Sequence, residues 1–236
     1  MYSIAKILFA AACSLSLLHG QGPSPAIPTD LVKANPQPLP AESKRIFGII
    51  PNNRTSPSLT NYKPLTAKEK FEIARQDSFD RGTVILAALF AADAQLTNAE
   101  PAFGQGVEGY SRYFGTAYGD LIIGNYMSEA IFPVLLHQDP RYFRRGIGNR
   151  WSRLAYSMGQ IFWTHADSNH SQLNYSELLG NAAAVAISES YYPDNQNATN
   201  ATNKLAIQLG VDMASNVLKE FWPDVSRRFS KTHSRE

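Results

Sequence analysis

ATNKLAIQLGVDMASNVLKEF, residues Ala201–Phe221, is the stretch whose reading decides the fold. At about 100° per residue, Lys204, Gln208, Asp212, Ser215, Asn216 and Lys219 share one strip of roughly 120°. Apart from Glu220, the rest of the helix surface is apolar: Leu205, Ala206, Ile207, Leu209, Val211, Met213, Val217, Leu218 and Phe221. A helix that apolar has neighbours on most sides, so it is read as a central helix of a bundle.

The segments before it follow the same period. Thr66-x-x-Glu69 is a capping box, in which hydroxyl and carboxylate each satisfy an orphan amide, and it opens a helix to about Ser78. TVILAALFAADAQLTN (Thr83–Asn98) is rich in Ala and Leu, which lose little rotamer freedom in a helix. Val107–Leu136 is a long third segment that Pro133 should kink or end. Arg150–His165 and Ser176–Ser190 complete the set, with Ser176 as a cap and Trp222-Pro223 closing the last helix. No sustained period-2 alternation signals strands. The expectation is an all-α fold, a single bundle of about six helices spanning residues 66–224. Gly115, Gly119, Gly124 and Gly180 lie inside these helices. Each costs about 1 kcal/mol relative to Ala, which implies close backbone approach, with Gly119 at a helix–helix contact.

Residues 21–65 form a proline-rich extended leader, holding nine of the fourteen prolines. Within it RIFGIIP (Arg45–Pro51) is apolar enough to dock onto the bundle. Residues 1–20 read as a signal peptide: Lys6, then the apolar ILFAAACSLSLL, then HGQG. Twelve apolar residues are too few to span a bilayer about 30 Å thick. Cys13 sits mid-run, so a lipobox reading is set aside. With the signal removed no cysteine remains, and the exported chain must be held by its core alone. This favours a bacterial envelope, with the periplasm or the inner face of the outer membrane as the expected location. Residues 225–236 read as a basic, solvated tail. A formal charge of +2, or +1 once Lys6 is subtracted, leaves no global basic excess for nucleic acid.

Positive charge is instead local. His137–Arg153, HQDPRYFRRGIGNRWSR, holds Arg141, Arg144, Arg145, Arg150 and Arg153 with Tyr142, Phe143 and Trp151, against one acid, Asp139. Guanidinium groups bind phosphate or carboxylate through paired donors. With aromatics beside them they could lie on an anionic membrane surface, arginines at headgroups and rings at the boundary. Alternatively they pair internally with acids such as Asp120, Glu129 or Glu177. A second constellation is His137-x-Asp139 with His165-x-Asp167-x-x-His170. These are the right residue types for a divalent metal, but the spacing matches no specific zinc motif. The competing reading is that His137 and Asp139 cap a helix end and Asp167–Asn169 form a turn.

There is no Gly-x-Ser-x-Gly elbow, no cysteine nucleophile and no P-loop. Gly104-x-Gly106-x-x-Gly109 matches the dinucleotide fingerprint by letters, but no strand precedes it. The runs Gly115–Gly146, Tyr175–Asn195 and Gly210–Asp224 resemble a family of uncharacterised exported proteins from soil acidobacteria. The resemblance covers about Arg45–Asp224 and implies an exported bacterial protein. That family has no established activity, so no catalytic residue is carried over. The leading expectation is a non-enzymatic envelope protein that contacts lipid headgroups or a protein partner, without a cofactor. The alternative is a metal-dependent hydrolase built on His137, Asp139, His165, Asp167 and His170.

Overall fold

The computed structural model describes residues 45–46, 50–51, 55–56, 62–194 and 197–233. The segment read as a signal peptide and most of the leader lie outside the described residues. Six helices dominate: α1 Ala67–Ser78, α2 Arg81–Leu96, α3, α4 Arg150–Gly159, α5 Tyr175–Ser188 and α6 Ala198–His233. α3 is one rod in three parts, Gly106–Asn125, a π-helical segment Tyr126–Ile131, and Phe132–Leu135. The fold is mostly all-α, as its periodicity predicts. α2 packs along α3, α5 crosses the π segment, and α6 lies on α4 and α5.

Caps explain where the helices begin. Thr66 and Glu69 form the expected capping box. Asp80 accepts from the Gly82 amide at 2.7 Å and starts α2. Asn149 caps α4. α5 is capped by Asn174 rather than Ser176. Ser176 instead gives both its amide and its hydroxyl to Gln138 Oε1, each at 2.7 Å.

Two expected boundaries change. The segment read as one helix over Arg150–His165 stops at Gly159, and Trp163–His165 becomes a strand paired antiparallel with Ser171–Leu173. Aromatic and β-branched residues suit this hairpin, and Asn169 turns it at φ 66°. At the other end, α6 does not close at Trp222-Pro223. It runs through Pro223 into the basic tail as far as His233.

Three short pairings tie the leader and the mid-chain to the bundle. Arg45–Ile46 pairs with Ile50–Pro51, and Thr55–Ser56 pairs in parallel with Tyr142–Phe143. Tyr62 then donates to Asp139 Oδ2 at 2.9 Å. The carboxyl-terminal part of the leader is therefore docked.

Glycine is required in two places. Gly104 and Gly106 take left-handed φ values of 76° each, and a Cβ on Gly109 would overlap the Gly104 carbonyl. The fingerprint-like glycines thus make a tight loop before α3. At Gly180 a Cβ would lie 2.8 Å from Ser128 Cα and 2.9 Å from Ser128 N, both backbone atoms of the π segment. This, not Gly119, is the close helix–helix approach: at Gly119 a Cβ would meet only the Tyr191 hydroxyl, at 4.0 Å. Opposite signs follow for two alanine substitutions. Gly180→Ala should destabilise by about 1–3 kcal/mol through overpacking. Gly115→Ala, exposed and with nothing within 4 Å, should stabilise by about 0.5–1 kcal/mol. Urea midpoints of the two variants check the pair, and equal shifts would remove the close-approach argument.

The distribution of polarity is unusual. α2 buries Thr83, Ala87 and Ala91, and leaves Ile85, Leu89 and Leu96 exposed at 45, 62 and 84 %. At about 100° per residue each set falls within a narrow arc, and the two arcs are diametrically opposed. α5 buries Ser176, Glu177, Gly180, Asn181 and Ser188 along with Ala184 and Val185, and exposes Tyr175, Leu179 and Ile187. α6 turns Gln208, Asp212 and Asn216 toward internal cavities and buries Lys219 and Glu220, while Leu205, Leu209 and Met213 are only half-buried. Its apolar surface is thus not surrounded as a central helix requires. Among the largest fully buried side chains are Lys70, Gln138, Glu129, Glu220 and Asp139.

Candidate functional site

The arginine and aromatic segment is built around a carboxylate that local sequence did not place. Glu220, on α6, is completely buried. Its Oε1 accepts from Arg153 Nε at 2.7 Å and from the Gly146 amide at 3.0 Å. Its Oε2 accepts from the Tyr142 hydroxyl at 2.8 Å and from the Arg145 amide at 3.0 Å. One turn on, Asp224 accepts from Arg153 Nη1 at 2.6 Å, from Arg227 at 2.5 Å and from Arg144 at 3.4 Å. Arg144 Nε and Arg153 Nη2 also donate to the Glu220 carbonyl. Arg153 further stacks over the Phe221 ring at 4.7 Å.

Titration is bent by this arrangement. Burial pushes the Tyr142 phenol far above its ordinary range, and the Glu220 charge pushes it further. Burial alone would lower Arg153, but its bonds to Glu220 and Asp224 raise it instead. Burial would raise Asp224, but Arg153, Arg227 and Arg144 hold it below the usual carboxylate value.

The segment therefore does not present five arginines to solvent together. Arg144 and Arg153 are enclosed by Glu220 and Asp224, Tyr142 and Phe143 are buried, and Arg141 is turned back on Asp139. Arg145, Arg150 and Trp151 remain on the surface, with Ile147 between them and Trp151 76 % exposed. The internal partners are Glu220, Asp224 and Asp139, not the Asp120, Glu129 or Glu177 that the sequence had offered.

The histidine and aspartate cluster is drawn together by backbone only. Gln138 bridges Ala166, the Asp139 amide donates to the His165 carbonyl at 2.8 Å, and the Asp167 amide donates to the His137 carbonyl at 2.9 Å. The side chains part company. Asp139, fully buried, is clasped by Arg141 Nε and Nη2 at 2.9 and 2.6 Å and by Tyr62. Asp167 receives the buried Lys70 ammonium at 2.8 and 2.9 Å. His137, at φ 53°, ends the α3 rod with its ring 84 % exposed and 4.0 Å from Asp167. His165 lies edge-on to Phe143, and burial lowers its pKa against a weaker upward pull from Asp139. His170 bonds Ser168 at the hairpin turn. Among the described residues no three His, Cys, Asp or Glu side chains come together to hold a metal ion. Asp139 and Asp167 are already neutralised by Arg141 and Lys70, His137 and His170 sit at a helix end and a hairpin turn, and His165 is a strand residue against Phe143.

No family model, curated protein or solved structure matches the chain.

What sequence reasoning missed was Glu220 and Asp224 as the centre of the arginine knot, and Lys70 and Tyr62 as partners of the two aspartates. One signal was available. Glu220 is a lone acid on an otherwise apolar helix face, and a buried carboxylate requires a cation and donors. Arg153 supplies the cation, and Tyr142 with the Arg145 and Gly146 amides the further donors, but over 67 to 78 residues of chain.

Proposed function

We propose that the protein is a non-enzymatic constituent of the bacterial cell envelope that seats itself on a membrane surface. The observation that carries the reading is the polarity of α2 and α5, which bury mainly small and polar residues, Val185 excepted, and turn Ile85, Leu89, Leu96, Leu179 and Ile187 outward. A helix in water does the opposite. Apolar side chains lying on one side of a helix are stabilised by leaving water, at about 1.5–3 kcal/mol for a fully buried Leu or Ile. The acyl boundary of a bilayer offers that environment. No helix among the described residues is long and apolar enough to cross a membrane, so the seat is interfacial. α1 keeps a charged outer face, with Lys68, Glu69 and Arg75 exposed, and marks a water-facing side. Arg145 and Arg150, with Ile147 and Trp151, would meet headgroups and the boundary, each cation contributing about 1 kcal/mol at an anionic surface. Export to the periplasm or the inner face of the outer membrane belongs to the same proposal. The metal-hydrolase alternative loses its support with the separation of its ligands.

The test is flotation of the full chain with vesicles of phosphatidylethanolamine and phosphatidylglycerol, and with neutral phosphatidylcholine vesicles. Wild type should float with both, more with the anionic ones at low salt. Arg145→Glu with Arg150→Glu should lose only the salt-sensitive part. Leu89→Glu with Leu96→Glu should reduce partitioning at least tenfold at any salt while remaining folded. A wild-type protein that stays in the supernatant at low salt refutes the reading. If it then sediments as a stable oligomer, a second copy is what covers the apolar face.

A further inference from the structure

A cavity of about 440 Å³ opens between the amino-terminal half of α6 and the α2–α3 pair. That volume lies in the range of about 300–1,000 Å³ typical of small-molecule sites. Its walls are mostly apolar, with Phe90 from α2, Ala117 and Leu121 from α3, and Ile207 from α6. A smaller space of about 50 Å³ shares five of its lining residues and reaches Asn181 and Asp212.

Polar groups gather where the two spaces join. Asp120 lines both, and two consecutive phenols close on it: Tyr191 donates to Oδ1 and Tyr192 donates to Oδ2 at 2.7 Å. Burial, reinforced by the Asp120 charge, raises both phenols well above their usual range, so they remain donors at neutral pH. Gln208 also lines both spaces, and its Oε1 is buried without a hydrogen-bond partner. The cation in the wall, Lys204, is engaged already: its ammonium lies 2.9 Å from Glu189 and 3.5 Å from the Tyr192 ring centroid. Asp120 is met by two neutral phenols, and Gln208 Oε1 by no donor. The unmet capacity, at Gln208 Oε1 beside the Asp120 carboxylate, is for donors carrying positive charge.

We propose that this cavity binds a small apolar amine, its ammonium at Asp120 and Gln208 Oε1 and its body along Phe90, Leu121 and Ile207. The inference is independent of membrane seating, since it uses an internal space and not the exterior.

The experiment is calorimetric titration of the full chain at neutral pH with three probes that share a phenethyl body: phenethylammonium, 2-phenylethanol and 3-phenylpropanoate. The amine should bind saturably at one site, the alcohol at least tenfold more weakly, and the carboxylate below detection. Asp120→Asn keeps the shape and an acceptor for the phenols. It should weaken the amine at least tenfold and leave the alcohol unchanged, which a purely structural loss would not do. Ala117→Phe should fill the space and abolish binding of all three probes, and Ile207→Phe makes the same test from the opposite wall if the first variant does not fold. The proposal is overturned if wild type shows no saturable amine binding, if the carboxylate binds as tightly as the amine, or if amine binding survives in a folded cavity-filled variant.

Discussion

Glu220→Ala should destabilise the domain by about 3–5 kcal/mol, the cost of leaving one partner of a buried ion pair alone. The variant leaves Arg153, only 8 % exposed, with Asp224 as its one remaining carboxylate, and strands the Tyr142 hydroxyl and two backbone amides. Domains are stable by about 5–15 kcal/mol in all, so the loss takes a third or more of the total in many cases. Glu220→Gln should fall between, because the amide still bonds but cannot balance Arg153. Replacing both partners, Glu220→Leu with Arg153→Met, should recover much of the loss, since apolar pairs of similar volume often equal a buried ion pair. Chemical denaturation of the three variants checks this order. A Glu220→Ala protein as stable as wild type would show that the knot is dispensable. Asp224 adds an acid limit. Its folded pKa lies below the ordinary 3.8, so its contribution is complete above that pH and drains away as pH falls through the lower folded value.

The second large effect is at alkaline pH. Tyr62, Tyr142, Tyr156, Tyr191 and Tyr192 all have raised pKa values, in each case first by burial and then by a neighbouring carboxylate. A group whose folded pKa is raised contributes stability that is complete below its unfolded pKa, about 10 for tyrosine, and is lost as pH rises through the folded value. Five such groups acting together make alkaline unfolding steep. Of the eleven tyrosines, these five should ionise in one cooperative step above pH 10, coincident with loss of helical circular dichroism. Absorbance near 295 nm followed against pH distinguishes the cases. A smooth titration of these five near pH 10 with helicity intact would mean that their burial and their carboxylate neighbours hold nothing together.

The helices were legible because their signals are local. The Thr66–Glu69 box and the Ala/Leu run after Asp80 act within one or two turns, and structure follows them closely. Which side of a helix faces out was not legible. Periodicity defines a polar strip and an apolar face, and only the surrounding medium decides their orientation. The strip of Gln208, Asp212 and Asn216 lies on one side as read, yet lines internal space. The candidate metal residues illustrate a different failure. Their types and spacing were suitable, but the bridge between Gln138 and Ala166 and the clasp of Arg141 on Asp139 fix where each side chain goes. The arginine segment was offered as a headgroup surface or as an internally paired one; Arg141, Arg144 and Arg153 are paired internally, with acids other than those expected, and the centre was hidden because Glu220 comes from a distant helix.

The π-helical segment Tyr126–Ile131 has a consequence for how chain length can vary. A π turn absorbs one residue more than an α turn while the rod continues on either side. Here it places Ser128, Glu129 and Ala130, three neighbours in a row, against the rest of the molecule, with Gly180 backed onto Ser128. Removing one residue inside it leaves an ordinary α turn, with both flanks still in phase and the rod close to its present length. Removing one residue from Gly106–Asn125 would instead swing the two flanks by about 100° relative to each other, setting Tyr113 against Pro133, Gln138 and Asp139. A single-residue alignment gap within this rod therefore belongs at 126–131.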